Sequence, residues 1–340
     1  MSCFPSIKIG VDVSCDELVL DSNDKDKNFI YQHFANTLAG ISAIQKLLDK
    51  SQHHIIIEAT GSYSMLLAYE LTQNGYVVSV VNPKQIKYFT KMLLQTAQND
   101  DIDARLIAQY ATALESKLRL FKPKSDAILK LQQYRILLNG RIKYKNALSN
   151  QLHAIRRMPQ ADKALMEQMK EDIKELATKI KNLRNQLVNV GKQEYDLQFA
   201  QLNTIKGIGP VIAMALIMAT NGFKEFKSAK QFARFIGICP TFKFSGKTVR
   251  RKGHISRSGD PELRRVLYLG AWSAIKYNSA CKKFYERLIN RGKAPNVALM
   301  GVMNKLIKQA FALIRKNEDY IDGHTSKKTT IYKQIPNLAQ

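Results

Sequence analysis

The chain has little cysteine and no long apolar run. Its four cysteines, Cys3, Cys15, Cys239 and Cys281, lie far apart among 340 residues without a Cys-x-x-Cys pair, so a zinc knuckle and a disulfide framework are both excluded. No uninterrupted apolar run approaches the ~20 residues of a membrane-spanning helix, and the first residues contain no signal-peptide core. We therefore expect a cytoplasmic protein with reduced thiols and no membrane partner.

Acidic residues are scarce relative to basic ones. Lys and Arg number 53 against 28 Asp and Glu, which gives a net charge of +25 and a pI of about 9.8. Such a balance predicts a polyanionic partner, with nucleic acid as the leading candidate. Because 45% of the residues are apolar, the chain is able to bury hydrophobic cores, and a fully disordered protein is excluded.

The first third of the chain alternates short β-branched runs with amphipathic stretches. Three strands in a row, followed by alternating helices and strands, predict an α/β sheet that starts with a hairpin. Asp21, Ser22, Asn23 and Asp24 predict a turn between the second and third strands. The predicted strands span residues 7–13, 17–20, 29–34, 54–58 and 77–81, and the predicted helices span 37–50, 64–74 and 84–93.

Long helical runs poor in glycine follow between about residues 125 and 190, with a break at Pro159. Their apolar residues recur in steps of mostly three and four, which is the spacing of a coiled-coil seam. Two interpretations fit equally: an antiparallel hairpin or oligomer contact, and the apolar face of a globular bundle. The repeating residues are Leu165, Met169, Ile173, Leu176, Ile180, Leu183, Leu187 and Val190.

The part that begins near Leu202 contains a glycine-rich junction between two predicted helices. Gly207-Ile208-Gly209 resembles a helix-hairpin-helix element, in which exposed backbone amides bind phosphate oxygens. The same glycines also suit ordinary helix C-caps. From about Asn317 onward the sequence is polar, and we expect a mobile tail there.

Two carboxylates are predicted to lie on strands of the α/β part. Asp12 alternates with Val11 and Val13, so it is either a half-exposed polar position or a ligand. Glu58 ends the apolar strand 54–58 just before a glycine-containing turn, where α/β sheets bind ligands. The position of Glu58 favours a functional role more than that of Asp12 does.

An acidic pair lies at the start of another predicted helix. Asp100 and Asp103 are three residues apart and share a helix face, although acidic residues also favour a first helical turn for electrostatic reasons. Asp101 fits only that second explanation. Together with Asp12 and Glu58, the pair offers the hard oxygen ligands that two Mg²⁺ ions need in phosphoryl transfer, with Mn²⁺ as a substitute.

A segment rich in Ser, Gly, Lys and Arg spans residues 237–260 and has little to bury. Its charge predicts a phosphate-contacting loop. A serine beside glycine and cations also suits a nucleophile that attacks DNA, and the residues alone leave Ser245, Ser256 and Ser258 as alternatives. The residues predicted to contact nucleic acid are Lys206, Gly207, Gly209, Lys243, Lys247, Arg250, Arg251, Lys252, Arg257, Arg264 and Arg265.

These residues, in this order, resemble the DEDD insertion-sequence transposases related to the Piv-type DNA invertases. The resemblance covers almost the whole chain and has one departure, where Gln98-Asn99-Asp100 stands in place of the family's Lys-Thr-Asp. The matching motifs are Ile9-Gly10-Val11-Asp12-Val13-Ser14, Glu58-Ala59-Thr60-Gly61-Ser62-Tyr63, Val81-Asn82-Pro83, Asp100-Asp101-Ile102-Asp103-Ala104-Arg105, Phe235-Ile236-Gly237-Ile238-Cys239-Pro240, Ser245-Gly246-Lys247 and Leu263-Arg264-Arg265.

The resemblance implies a division of the chain into four parts. These are a RuvC-type, RNase H-like catalytic domain at 1–118, a helical coiled-coil segment at 119–200, a mainly helical transposase domain at 201–318 and a polar tail at 319–340. It also implies that the four carboxylates hold Mg²⁺ and that Ser245 becomes covalently joined to DNA. The coiled-coil segment would then serve dimerisation and RNA binding.

The resemblance further implies a recombinase guided by a structured bridge RNA, which pairs with donor and target double-stranded DNA. Such a recombinase acts as a homo-oligomer, from dimer to tetramer, and passes through a phosphoserine intermediate. Two alternatives stay open. A metal-dependent junction resolvase or nuclease would use water in place of Ser245, and its reaction would lack a covalent intermediate. A non-catalytic basic nucleic-acid-binding protein would show no Mg²⁺-dependent cleavage.

Overall fold

The chain forms two compact units, Met1–Pro123 and Lys124–Gln340. The first is mixed α/β and the second is mostly helical, which confirms the predicted fold class at that level. The predicted boundaries at residues 118, 200 and 318 stay predictions. The computed structural model describes residues 4–22, 31–94, 100–245, 249–255 and 259–323, with the backbone alone for 100–102 and 240–254.

The first unit is built on a five-stranded sheet with the order β3-β2-β1-β4-β5. Strands β1, β2 and β3 form an antiparallel meander, whereas β4 and β5 lie parallel to β1. The predicted hairpin start and the later alternation of helices and strands are therefore confirmed. The elements are β1 (Ile7–Val13), β2 (Glu17–Ser22), β3 (Tyr31–Ala35), α1 (Leu38–Leu47), β4 (His53–Glu58), α2 (Tyr63–Gln73), β5 (Val77–Val81), α3 (Pro83–Met92) and α4 (Asp100–Ala113).

The two faces of this sheet pack against different helices. Helices α1 and α2 cover the face that carries Ile9, Val11 and Ile57. Helices α3 and α4 cover the opposite face, which carries Ile56. Because side chains alternate along a strand, Asp12 and Glu58 both lie on the α4 side.

Two residues of the predicted turn between the second and third strands belong to the second strand instead. Asp21 and Ser22 are the last residues of β2, because the ladder to β1 continues through both of them. Their pairing with a neighbouring strand overrides the turn preference of Asp and Ser. Asn23 and Asp24 lie outside the described residues.

The second unit starts with two long helices, α5 (Asp126–Ile155) and α6 (Lys163–Thr204), which pack as an antiparallel hairpin. Both helices begin at side-chain caps. The Ser125 hydroxyl accepts a hydrogen bond from the Ile128 amide, and the Asp162 carboxylate accepts bonds from the Ala164 and Leu165 amides. Such caps satisfy amides that lack a partner within the helix, so the chain turns between two well-defined helix ends.

The apolar repeat of α6 serves two environments. Near the base of the hairpin, Leu183 and Leu187 join the main core of the unit, whereas Met169 belongs to a separate small cluster farther out. Elements of both interpretations are thus present, and an oligomer contact stays a prediction. The inclusion of Leu165 in the repeat was wrong: it is 45% exposed, because its neighbour Met166 packs towards the outer cluster instead.

The remaining helices enclose one large hydrophobic core with the base of the hairpin. The segment that we predicted as a loop contains two antiparallel strands, so that prediction was wrong in part. Phe242 and Phe244 alternate with polar residues in the first of these strands, whereas the second strand is basic, lacks such a pattern and is stabilised by backbone pairing. The elements are α7 (Pro210–Thr220), α8 (Ala229–Phe235), β6 (Pro240–Ser245), β7 (Val249–Ile255), α9 (Pro261–Tyr277), α10 (Ser279–Asn290) and α11 (Pro295–Lys316).

Helix α11 is long and apolar, although it contains no uninterrupted apolar run of about 20 residues. By length and composition it passes as a membrane span, with a mean hydropathy of 1.4 over its most apolar window. One face of α11 lies in the core through Leu299, Val302 and Leu306. Core packing accounts for this apolar composition, as it does in many buried helices.

The predicted mobile tail is anchored at its start. After α11, the Tyr320 amide donates a hydrogen bond to the Thr204 hydroxyl, and the Tyr320 hydroxyl bonds to Asn278. Asp322 accepts hydrogen bonds from the amide and hydroxyl of Ser279. The expectation of mobility was therefore wrong for residues 317–323, and the rest of the predicted tail lies outside the described residues.

Candidate functional site

The register of two parallel strands brings the first two predicted carboxylates together. In the ladder between β1 and β4, Val11 pairs with Ile57, so the next step along both strands places Asp12 beside Glu58. Adjacent strands lie about 4.8 Å apart, and both side chains emerge on the α4 face of the sheet. The two carboxylates therefore share one end of the sheet, where the parallel strands finish.

Helix α4 supplies the other two acidic residues and packs directly on β1. A Cβ atom at Gly10 would lie 2.7 Å from the Ala108 amide nitrogen and nearer still to the Ala104 carbonyl oxygen. Only glycine permits this approach of a helix to a strand. Asp103 is half-buried on α4, next to fully buried Ala104, and Asp100 is the first residue of the helix.

The electrostatics of Glu58 show that the described carboxylates interact. Burial raises the pKa of Glu58, and the negative charges of Asp12 and then Asp103 raise this pKa further. Each ionised carboxylate in this cluster therefore makes ionisation of a neighbouring carboxylate less favourable. Such an arrangement favours a bound cation, because positive charge would relieve the repulsion.

The described carboxylates, which we call the acidic cleft, are not arranged as a closed cage. Among the side chains that the structure describes, no three His, Cys, Asp or Glu lie close enough to hold one metal ion. The side chain of Asp100 falls outside that description. Three of the four predicted ligands, Asp12, Glu58 and Asp103, are thus brought to one cleft, with Asp100 at the end of the helix that borders it.

The residues that follow strands β1, β3 and β4, here called the rim, form contacts that the sequence analysis did not predict. A hydrogen bond to the Cys15 thiol raises the pKa of the exposed Tyr63 hydroxyl. The Asn36 side chain donates to the Ser14 carbonyl oxygen at 2.9 Å and to the Tyr63 carbonyl oxygen at 3.2 Å. The signal that pointed to this rim was position, since Ser14 and Tyr63 follow the carboxyl ends of β1 and β4.

The predicted serine nucleophile lies in the second compact unit. Ser245 is the last residue of β6, where it pairs with Val249 of β7. Two predicted phosphate contacts face β6 across this ladder, because Arg250 pairs with Phe244 and Arg251 pairs with Lys243. Lys252 continues β7, whereas Lys247, Ser256, Arg257 and Ser258 lie outside the described residues.

The residues that connect this strand pair to α8 and α9 are held by contacts with the helices. A Cβ atom at Gly259, which has φ of +98°, would lie 2.6 Å from the carbonyl carbon of Ile236, and Arg264 donates to the Ile236 carbonyl oxygen at 2.9 Å. Asp260 caps α9 and forms an ion pair with Arg135 of α5. The segment between α8 and α9 is therefore held at both of its ends.

The predicted nucleic-acid contacts on or beside helices differ in the bonds that they form within the protein. The guanidinium of Arg265 forms two hydrogen bonds with Glu262, and that of Arg264 bonds within the protein as described above. In the turn that contains Gly207 and Gly209, the Lys206 carbonyl oxygen accepts a bond from Asn278, and Gly209 is the N-cap of α7 without a side-chain cap. The arginines thus have structural partners, while the turn presents a helix N-terminus of the kind that binds phosphate.

An acidic cleft on an α/β sheet, joined to a basic helical unit, is typical of enzymes that process nucleic acid. Comparison with known proteins is more specific. A family model of IS110-type DEDD transposases matches residues 9–157, and a model described as the IS116/IS110/IS902 transposase family matches residues 200–286. Both predicted functional regions therefore fall within transposase family models.

Individual relatives extend over most of the chain. The pilin gene-inverting protein of Moraxella bovis is 32% identical over 80% of this chain and 83% of its own length, and that of Moraxella lacunata is 31% identical over the same shares. A transposase for insertion sequence element IS1111A of Coxiella burnetii is 23% identical over 93% of this chain and 91% of its own. The chain belongs to the IS110 family of DEDD transposases, as its motifs indicated, and it is a DNA recombinase by class.

Proposed function

We propose that this protein cuts and rejoins insertion-sequence DNA through a phosphoserine intermediate at Ser245, with metal ions held by Asp12, Glu58, Asp100 and Asp103. The observation that carries the proposal is the shared cleft, in which Asp12 and Asp103 raise the pKa of Glu58. The sheet order, with carboxylates on β1, β4 and α4, supports a RuvC-type, RNase H-like catalytic domain. The basic strand β7 beside Ser245 supports the contact with DNA.

The donor chemistry of the cleft fits divalent metal ions. All four side chains present carboxylate oxygens, which suit Mg²⁺ or Mn²⁺ and not softer metals. Once bound, the ions would polarise the scissile phosphate and lower the pKa of a nearby hydroxyl. The chain itself holds the ligands in fixed positions, because two of them lie on paired strands and the other two lie on a helix in contact with β1.

In the proposed cleavage step, the hydroxyl oxygen of Ser245 attacks the scissile phosphorus in line. A serine–phosphorus bond forms, the phosphorus–O3′ bond breaks, the serine proton goes to solvent, and the departing O3′ takes up a proton. Phosphoester bonds are conserved in number, so the reverse reaction rejoins strands without an external energy source. The cationic side chains of Arg250, Arg251 and Lys243 offset the phosphate charge as it develops.

Base specificity in this proposal belongs to a guide. A structured bridge RNA pairs with donor and target DNA, and the protein, with its net charge of +25, binds backbones and shape. The helical hairpin serves RNA binding and the contacts of a dimer or tetramer, in which the acidic cleft of one subunit meets Ser245 of another. The protein works on DNA in the cytoplasm, in association with the nucleoid.

Covalent trapping tests the nucleophile. A suicide substrate with a nick beside the cleavage site lets the cut strand diffuse away, so the protein–DNA adduct accumulates and is visible on a denaturing gel. We expect the adduct with the wild-type protein, none with Ser245→Ala, and normal amounts with the matched controls Ser256→Ala and Ser258→Ala. An adduct with Ser245→Ala would contradict the assignment, and cleavage without any adduct would favour a water-using nuclease.

Metal-ligand variants and bound RNA test the rest of the proposal. Asp12→Ala should abolish strand cleavage and leave RNA binding intact, whereas loss of both would indicate a structural role for Asp12. Absence of any Mg²⁺-dependent cleavage in the wild-type complex would favour a non-catalytic nucleic-acid-binding protein. Sequencing of RNA that co-purifies with the protein should yield one defined, structured transcript, and a random mixture would contradict guidance.

A further inference from the structure

A charged residue is fully buried close to the acidic cleft. Asp21 has 0% exposure and lies on β2, where it pairs with Gly10 of β1. Directly paired residues of antiparallel strands project to the same face, so the Asp21 side chain points to the α4 side of the sheet. There its Oδ2 atom accepts a hydrogen bond from Nε of Arg105 at 3.1 Å. The two residues form an ion pair, in which the Arg105 side chain is 53% exposed.

This ion pair joins α4 to the sheet at the turn that carries a predicted metal ligand. Arg105 is two residues from Asp103, and Ala104 between them lies against the backbone at Gly10. Helix α4 is thus fixed at adjoining positions, by backbone contact with β1 at Ala104 and by the ion pair with β2 at Arg105. Two such contacts restrain the rotation of the helix about its axis, which determines where Asp103 points.

The acidic cleft needs such a restraint. Asp12 and Asp103 both raise the pKa of Glu58, so the charge of Asp103 on α4 is repelled by the carboxylates on β1 and β4. Apolar packing through Ile107 and Tyr110 holds the helix on the sheet but is non-directional. The guanidinium at Arg105 gives α4 a directional attraction to the same sheet.

We propose that Asp21 and Arg105 are positioning residues, whose ion pair holds α4 in the rotation that presents Asp103 to Asp12 and Glu58. The inference rests on the proposed metal-binding function of this cleft. Neither residue touches substrate or metal in this role. Their effect is exerted through the backbone of α4, and it is felt in the affinity of the cleft for a divalent cation.

Metal binding to the full-length, nucleic-acid-free protein tests the proposal without catalysis. Free Mn²⁺ has an electron paramagnetic resonance signal that is lost on binding, so a titration gives the dissociation constant directly. We expect Asp21→Asn and Arg105→Gln to weaken Mn²⁺ binding by about 10- to 100-fold, the range found when residues that orient metal ligands are changed. Arg105→Lys keeps the positive charge and should recover part of the affinity.

A second ion pair, on the strand that carries Asp12, provides the matched control. Lys8 of β1 is bonded to Glu115 at 2.7 Å, with side-chain exposures of 5% and 34%. Lys8 is four residues from Asp12, or about 13 Å along the strand. We expect Glu115→Gln, like Asp21→Asn and Arg105→Gln, to lower the melting temperature, but we expect Glu115→Gln to leave Mn²⁺ affinity unchanged.

The outcomes separate this inference from the function on which it rests. If the wild-type protein and Asp12→Asn bind Mn²⁺ alike, the proposed metal site itself is wrong. If Asp12→Asn abolishes binding while Arg105→Gln binds Mn²⁺ as tightly as the wild type, only the positioning role is overturned. Equal weakening by Glu115→Gln and Arg105→Gln would also overturn it, because general stability would then explain both effects. Arg105 is largely exposed, so its variants decide the matter even if Asp21→Asn fails to fold.

Discussion

The contact between α4 and β1 makes Gly10→Ala a sharp probe of the acidic cleft. The added methyl group would lie 2.7 Å from the Ala108 amide nitrogen. An ordinary contact needs at least 3.4 Å, so α4 would have to move away from β1 by at least about 0.7 Å. The opposing atoms are backbone, so no side chain is able to rotate away. Misplacement of catalytic groups by about 1 Å costs roughly 100-fold in rate. We therefore expect strand cleavage to fall by about 100-fold.

The same substitution should lower stability without unfolding the protein. Overpacking costs about 1–3 kcal/mol, and replacing a strand glycine with alanine recovers about 0.5–1 kcal/mol, so the free energy of unfolding should fall by no more than about 2.5 kcal/mol. Urea unfolding measures this loss, and a suicide-substrate assay measures cleavage. Gly140→Ala is the control, because its Cβ would meet nothing within 4 Å on exposed α5. Wild-type cleavage by Gly10→Ala would refute the claim that α4 must lie against β1.

Three further predictions concern stability and its dependence on pH. Because the pKa of Glu58 is raised above its ordinary 4.5, its ionisation opposes folding. In metal-free buffer, Glu58→Gln should be more stable than the wild type at pH 7, and urea unfolding should show this advantage vanishing as the pH falls to about 4.5. Leu187→Ala should cost about 2–5 kcal/mol and Leu165→Ala less than about 0.5 kcal/mol, and equal losses in denaturant titrations would contradict the packing described for α6. Arg135→Ala leaves Asp260 without its ion-pair partner and should lower the free energy of unfolding by about 1–3 kcal/mol, as measured by thermal unfolding. No change would show that the ion pair between Arg135 and Asp260 contributes nothing to stability.

Much of the acidic cleft was predictable because its determinants are local. A strand period of two places Asp12 opposite the buried valines, and a strand end followed by glycine marks Glu58. Parallel pairing of the two strands then brings both carboxylates to one edge without further information. The spacing of Asp100 and Asp103 likewise follows from the helix alone.

The features that were missed depend on pairing between distant segments. Asp21 was predicted in a turn because Asp and Ser favour turns locally. In the structure it pairs with Gly10 as part of β2, and its side chain bonds to Arg105, which lies 84 positions farther along the chain. Strand β6 does alternate, with Phe242 and Phe244 between polar residues, and the sequence analysis missed this local signal. Strand β7 has no such pattern and is stabilised by pairing with β6. Leu165 obeyed the heptad spacing, but its immediate neighbour Met166 packs inward instead.

Peptide mapping of a trapped protein–DNA complex tests the central claim most directly, namely that the acidic cleft and Ser245 act on the same phosphodiester. The wild-type protein, incubated with guide RNA, suicide DNA and Mg²⁺, should yield one nucleotide-modified peptide with the phosphate on Ser245. The same peptide should be unmodified in Asp12→Asn. Modification of another residue, or an adduct on Ser245 that forms equally in Asp12→Asn, would contradict the account.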